Sequence, residues 1–139
     1  MTRRAWLAVA ALALVTGVAL AADPKLRFEV YQDRQDEFRW RLKADDKTLA
    51  TSGQGYKAKA DCKKGIERIK SDADTKLKFE VYEDRKKDYR FKIVATNGQE
   101  IGASSGGYKD KSEAEKVVDM IKKGAKDAEV IEKKEKDDK

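Results

Sequence analysis

From residue 26 the chain alternates apolar and polar positions: Leu26, Phe28 and Val30 interleave with Arg27, Glu29 and Tyr31. A period of two predicts a strand with one buried face. After a turn at 33–37, Phe38, Trp40, Leu42 and Ala44 alternate with Arg39, Arg41 and Lys43, which predicts a second strand antiparallel to the first. A third, short strand is expected around Leu49 to Ser52. The period then lengthens. Ala58, Cys62, Ile66, Ile69 and Ala73 recur at helical spacing with charged residues between them, the pattern of an amphipathic helix. The same succession returns with Leu77, Phe79 and Val81, then Tyr89, Phe91, Ile93 and Ala95, then Ile101 to Ser104, then Ala114, Val117, Val118, Ile121 and Ala125. The chain is therefore a tandem repeat, 26–73 and 77–125, and a repeat of this kind sets the architecture before any single residue does. The second copy has gained one residue at Thr96-Asn97-Gly98-Gln99, where Asn97-Gly98 is a strong hairpin signal.

If Phe38 and Trp40 share the core face with Phe28 and Val30, then Glu29 lies opposite Arg39 or Arg41. By the same alignment Glu80 lies opposite Arg90 or Lys92. The helix starts differ: Asp110 with Glu113, or Ser112 with Glu115, offers the second helix a capping box, whereas the first has Ala58 in that place. Each repeat is close to the lower size limit for folding alone, so residues 22–127 are expected to fold as one domain. Residues 128–139 are dense in charge and are expected to be disordered, a short strand at Val130-Ile131 being an alternative for their start.

The twofold order strand-strand-strand-helix carries further marks: FEVY with an acid and Arg after it, an aromatic-Arg-aromatic second strand, a small-residue third strand running into Gly-Tyr, and a helix such as ADCKKGIERIK. In these respects the chain resembles the YegP-like family (DUF1508), over nearly all of residues 26–125. The resemblance implies an α+β fold: two β-β-β-α repeats forming one antiparallel sheet about a pseudo-twofold axis, with two helices packed on one face. It implies no reaction. Val117 stands where the family's helix carries the glycine seen here as Gly65, which predicts slightly wider packing of the second helix.

The N-terminus changes the setting. Arg3 and Arg4, the apolar run Trp6 to Leu20 and the small-x-small site Ala19-Leu20-Ala21 read as a signal peptide over 1–21. Thr2 to Leu7 also resembles a twin-arginine motif, although general secretion is the preferred route. The protein is expected to be exported, to a periplasm or the extracellular space, and to meet a membrane only through this segment before cleavage. A single cysteine, Cys62, excludes an intramolecular disulfide, so packing must supply the stability. The 32 basic and 26 acidic residues give a net charge of +6, two of it within the signal. That mild excess is a solubility feature before it is a nucleic-acid footprint.

With no histidine the chain lacks the residue most used as a base near neutral pH. Cys62 falls on the apolar helix face and is expected to be buried. Carboxylates show no calcium-loop spacing, so no catalytic residue, cofactor or metal site is expected, and the chain is not expected to be an enzyme. Arg39, Arg41, Lys43, Arg90 and Lys92, with Tyr31 and Tyr82, form a basic and aromatic sheet face, but acidic neighbours argue against nucleic acid. The candidate site is the loop Ser52, Gly53, Gly55, Tyr56, Lys57 and its copy Ser104, Gly106, Gly107, Tyr108, Lys109. Each puts a hydroxyl, glycines, a Tyr and a Lys before a helix N-terminus, where free N–H groups favour an anion. The alternative is that these glycines only turn the chain. The sequence reads as a small exported interaction or structural module, with a binder of anionic ligands as the second reading. Its partner is expected to be a protein or envelope component, and the chain itself a monomer, with a dimer as the alternative.

Overall fold

The computed structural model describes residues 24–136. The signal peptide assigned to 1–21 lies outside the described residues, as do the last three residues of the tail. Repeat 1 comprises strands β1 (Leu26–Gln32), β2 (Phe38–Ala44) and β3 (Lys47–Ser52) and helix α1 (Lys59–Asp72). Repeat 2 comprises β4 (Lys78–Glu83), β5 (Tyr89–Val94), β6 (Glu100–Ser104) and α2 (Lys111–Gly124). A 3-10 turn (Ala125–Asp127) leads into a further strand, β7 (Glu129–Lys136).

All the strands form one sheet in the order β4-β5-β6-β3-β2-β1-β7. Its centre is the antiparallel pair β3·β6, in which Ala50 faces Ser104, Thr51 faces Ala103 and Ser52 faces Gly102. Thr51 and Ala103 are equivalent positions of the two repeats, so the pseudo-twofold axis passes between them. The added residue of repeat 2 sits where the sequence places it: β2 and β3 are joined through Asp45 and Asp46, whereas β5 and β6 are joined by a longer turn with Gly98 at φ 87°.

The register follows the alternation. Phe28 pairs with Leu42 and Val30 with Trp40 on β1·β2, and Phe79 with Ile93 and Val81 with Phe91 on β4·β5. Both helices lie on the face these residues share, and Cys62, Ile66, Ile69, Val117, Val118 and Ile121 close a single core with Phe28, Trp40, Leu42, Phe91 and Ile93. Trp40 is its largest member, edge-on to Phe28 with ring centroids 5.5 Å apart.

The difference between Gly65 and Val117 has a neighbour on the sheet. A Cβ at Gly65 would stand 3.0 Å from the Tyr56 hydroxyl and 3.8 Å from Trp40 Nε1, and one at Gly102 would stand 2.8 Å from the tip of the Trp40 ring. Where repeat 1 carries the large Trp40, glycines stand at both places. Where repeat 2 carries the smaller Phe91, Val117 and Ala50 occupy the equivalent positions. Volume is exchanged between partners and the packing is preserved.

One expectation is corrected. The charged terminus expected to be disordered from 128 is instead β7 as far as Lys136, running parallel to β1 with Phe28 beside Val130 and Glu29 beside Ile131. The sheet is therefore mixed and not wholly antiparallel. The physical reason is the outer edge of β1, whose N–H and C=O groups need partners next to a well-buried strand. Ion pairs fasten the addition: Lys59 and Lys63 of α1 both hold Glu132, and Lys133 lies 4.0 Å from Glu29.

Candidate functional site

Each Gly-Tyr-Lys loop leaves the third strand of its repeat and enters a helix. In repeat 1 the Trp40 N–H donates to Ser52 Oγ at 3.4 Å, the Gly53 N–H to the Ile101 carbonyl at 3.4 Å, and Tyr56 exchanges both backbone bonds with Phe38 at 2.6 and 2.7 Å. In repeat 2 the Phe91 N–H donates to Ser104 Oγ at 3.3 Å, and Tyr108 exchanges bonds with Tyr89 at 2.7 and 2.8 Å. Both serines are buried and help close the sheet. The backbone donors of Gly53, Tyr56 and Tyr108 are likewise engaged.

The glycines have distinct tasks. A Cβ on Gly55 would stand 2.3 Å from the Glu37 carboxylate, and one on Gly107 2.6 Å from Asp88 Cβ. These two positions thus admit an acidic side chain from the preceding hairpin, which places negative charge against each loop. Gly53 and Gly106 carry no such close approach. Tyr56 and Tyr108 lie half-buried, and burial pushes both hydroxyls above their ordinary values. Lys57 and Lys109 are exposed.

The helix starts differ as the sequence suggests. Ala58 caps α1 with no side-chain hydrogen bond, whereas at α2 Asp110 and Glu113 form a capping box, the Asp110 N–H donating to Glu113 Oε1 at 3.4 Å. Carboxylates therefore occupy the α2 start. The structure brings the candidate residues together in each loop but commits most of their polar groups to the fold. Glu37 and Asp88, which bear most directly on the loops, went unread in the sequence. Their signal was there: both are acids at equivalent positions of the repeats.

The open face of the sheet is paired with itself. Glu29 accepts from Arg27 at 3.1 Å and from Arg41 at 3.0 Å, and Arg41 also lies over the Tyr31 ring at 4.5 Å. Burial alone would raise the Glu29 carboxyl, but the two guanidinium groups outweigh it and hold the acid below its ordinary value. Asp33 takes the N–H groups of Gln35 and Glu37 and the Arg39 guanidinium at 2.7 Å, and Asp84 repeats this with Lys86, Asp88 and Arg90. In both, the Arg contributes most to keeping the carboxyl ionised.

Cys62 is buried, and burial pushes its thiol up to about 11, the opposite of what a reactive thiolate needs. Among the described residues no group of three or more acidic or cysteine side chains is placed to hold a metal ion, and no helix is long and apolar enough to cross a membrane.

What the sequence did not disclose is an inequality at the two ends of the sheet. Phe28 and Val30 on β1, the strand that β7 lies beside, are 0% and 1% exposed. Their equivalents on β4, Phe79 and Val81, are only half-buried, and Tyr82 is 40% exposed with Lys92 Nζ 5.5 Å from its ring. Among the described residues no strand lies beyond β4.

Comparison with known proteins agrees with this architecture. The UPF0339 protein in the ptx operon 5′ region of Stutzerimonas stutzeri is 33% identical over 105 residues, which cover 76% of this chain and 94% of that one. A UPF0339 protein of Neisseria meningitidis serogroup B is 41% identical over 44 residues, 32% of this chain but 79% of its own, so that relative matches a single repeat. The solution structure of yegP from E. coli, a protein of unknown function, superimposes with a TM-score of 0.68 at 24% identity over 81% of this chain and 96% of that one. The UPF0339 protein SO3888 of Shewanella oneidensis also gives 0.68, at 20% identity over 78% and 91%. Those two likenesses show the fold. The family profile described as Domain of unknown function (DUF1508) matches twice, at residues 33–80 and 84–132, one match for each repeat. The chain belongs to the DUF1508 family.

Proposed function

We propose that the chain is an exported, non-catalytic module that acts by holding a protein partner along the β4 side of its sheet. The observation that carries this is the unequal cover of two equivalent strands: β1 is paired with β7, while β4, among the described residues, has an unpaired outer edge flanked by half-buried Phe79 and Val81 and by exposed Tyr82. A free edge with apolar flanks is a template for strand addition. Export is supported by the N-terminal pattern of Arg3, Arg4, the apolar run and Ala19-Leu20-Ala21. The test is a photo-crosslinking side chain at Tyr82 or, as a control, at exposed Lys116 in the native host. Protein adducts at 82 and none at 116, in the exported fraction, are expected. Equal labelling at both positions, or a wholly cytosolic chain, would overturn the reading.

A second reading, an anion at a helix start, is supported at one place only. Ala58 lacks a side-chain cap and Lys57 is exposed beside it, whereas Asp110 and Glu113 occupy the other start. Inorganic phosphate should then raise the melting temperature above a chloride control of equal ionic strength, and Lys57→Glu should remove the increment while Lys109→Glu leaves it. No increment in the unaltered protein means that the loop is a turn alone.

A further inference from the structure

The pseudo-twofold axis between Thr51 and Ala103 makes β1 and β4 equivalent, yet among the described residues only β1 has a neighbour on its outer side. The two free edges of the sheet are unlike. Along β7 the sequence from Glu132 to Lys136 is charged without interruption, the usual defence of an edge against pairing. Along β4 the residues alternate: Lys78, Glu80 and Tyr82 on the open face, Phe79 and Val81 on the helix face, with buried Leu77 just before.

We propose that β4 pairs edge to edge with β4 of a second copy of this chain, antiparallel about a twofold axis at Phe79. This rests on the reading of the β4 side as a protein-contact surface and names the partner.

The register follows from charge. In an antiparallel pair, residues equidistant from the axis face each other on the same side of the sheet. With the axis at Phe79, Lys78 faces Glu80 of the partner subunit, and Glu80 faces Lys78 of the partner subunit. Leu77 then faces Val81 of the partner subunit, and the two Phe79 rings meet. The pairs from Leu77 to Val81 are all opposite in charge or apolar on both sides, the combinations that favour pairing, and Tyr82 and Glu83 extend past the end of the partner's strand. Moving the axis to Glu80 sets that carboxylate against its own copy. Moving it to Val81 sets Phe79 against Glu83 of the partner subunit. Of these three registers only the first is self-complementary.

The helices leave room for it. α2 packs on β4 and β5, so two strand spacings of about 4.8 Å separate it from its copy, and about 10 Å is a normal helix-packing distance. Lys78 and Glu80 have side chains 74% and 40% exposed, with only a long contact of 3.8 Å between them, so changes at either leave the core of the subunit untouched.

The chain from Ala22 onward, which contains every described residue, is examined by sedimentation over a concentration series. A dimer is expected at about tens of micromolar. Lys78→Glu and Glu80→Lys each set like charges opposite one another twice per dimer and should weaken association about tenfold or more, while the double exchange should restore it to within about threefold. Circular dichroism melts confirm that each variant folds. A chain that stays monomeric at several hundred micromolar overturns the proposal, as does a dimer indifferent to both single changes or one that the double exchange fails to restore. Should the chain be monomeric yet yield adducts with another protein from position 82, self-pairing falls and the protein-contact reading stands. Absence of adducts at 82 from a chain that is also monomeric would remove both.

Discussion

At Trp40 the two repeats show how a single residue sets its surroundings. The indole is fully buried, its Nε1 has no hydrogen-bond partner, and its ring tip rests where a Cβ on Gly102 would be 2.8 Å away. The orphaned N–H is unfavourable, and the ring is retained because its area fills the space that Gly65 and Gly102 leave. Gly102→Ala is expected to cost about 1–3 kcal/mol, the range for overpacking a well-filled core. In a Trp40→Phe background the same change should cost less by about 0.5 kcal/mol or more, since the two residues touch and their effects are coupled. Urea unfolding followed by circular dichroism checks both, and equal costs in the two backgrounds would mean that Trp40 does not dictate the glycine. The sequence shows that Trp40 is buried and that Gly65 and Val117 differ. It does not show that the two facts are connected, because the link runs through residues far apart in the chain.

Among the elements, the strands and helices of the two repeats were legible, whereas of β7 only a short strand at Val130-Ile131 was offered, as an alternative to a disordered tail. Periodicity places β1 to β6 and both helices because each buries one face, and a buried face leaves a regular trace in the sequence. The residues of β7, EVIEKKEK, alternate for no more than a step or two. Its place is decided by what it lies against: the edge of β1, Glu29 beneath Lys133, and the pair Lys59 and Lys63 around Glu132. This dependence on charge gives a pH prediction. Lys63 and Lys59 hold the Glu132 carboxyl down from 4.5 to about 2, and Glu29 is likewise lowered. Folded values below unfolded ones mean that the contribution is whole above about 4.5 and is lost as pH falls toward 2. Amide exchange compared at pH 6 and in the lower part of that window should show β7 losing protection before β5 and β6. Simultaneous loss along the sheet would mean that β7 is held by its backbone bonds alone.

For the molecule as a whole, the sequence by itself determined the repeat, the order of elements and membership of a family, and it narrowed the partners of Glu29 and Glu80 to two each, from which the structure takes Arg41 and Lys92. All of these follow from local periodicity and from a comparison of one half with the other, which any single chain contains. The tertiary structure alone decided three things. It engaged the serines and much of the loop backbone in the sheet and set Glu37 and Asp88 against the glycines, so that loops which read as anion cradles carry acids beside them. It recruited the charged terminus as a parallel strand. It also broke the symmetry of the two halves, covering β1 and leaving β4 open. The common reason is that each depends on which groups remain unsatisfied after the repeats have packed: a backbone edge, a carboxylate or a half-covered ring acquires its meaning from neighbours distant in sequence.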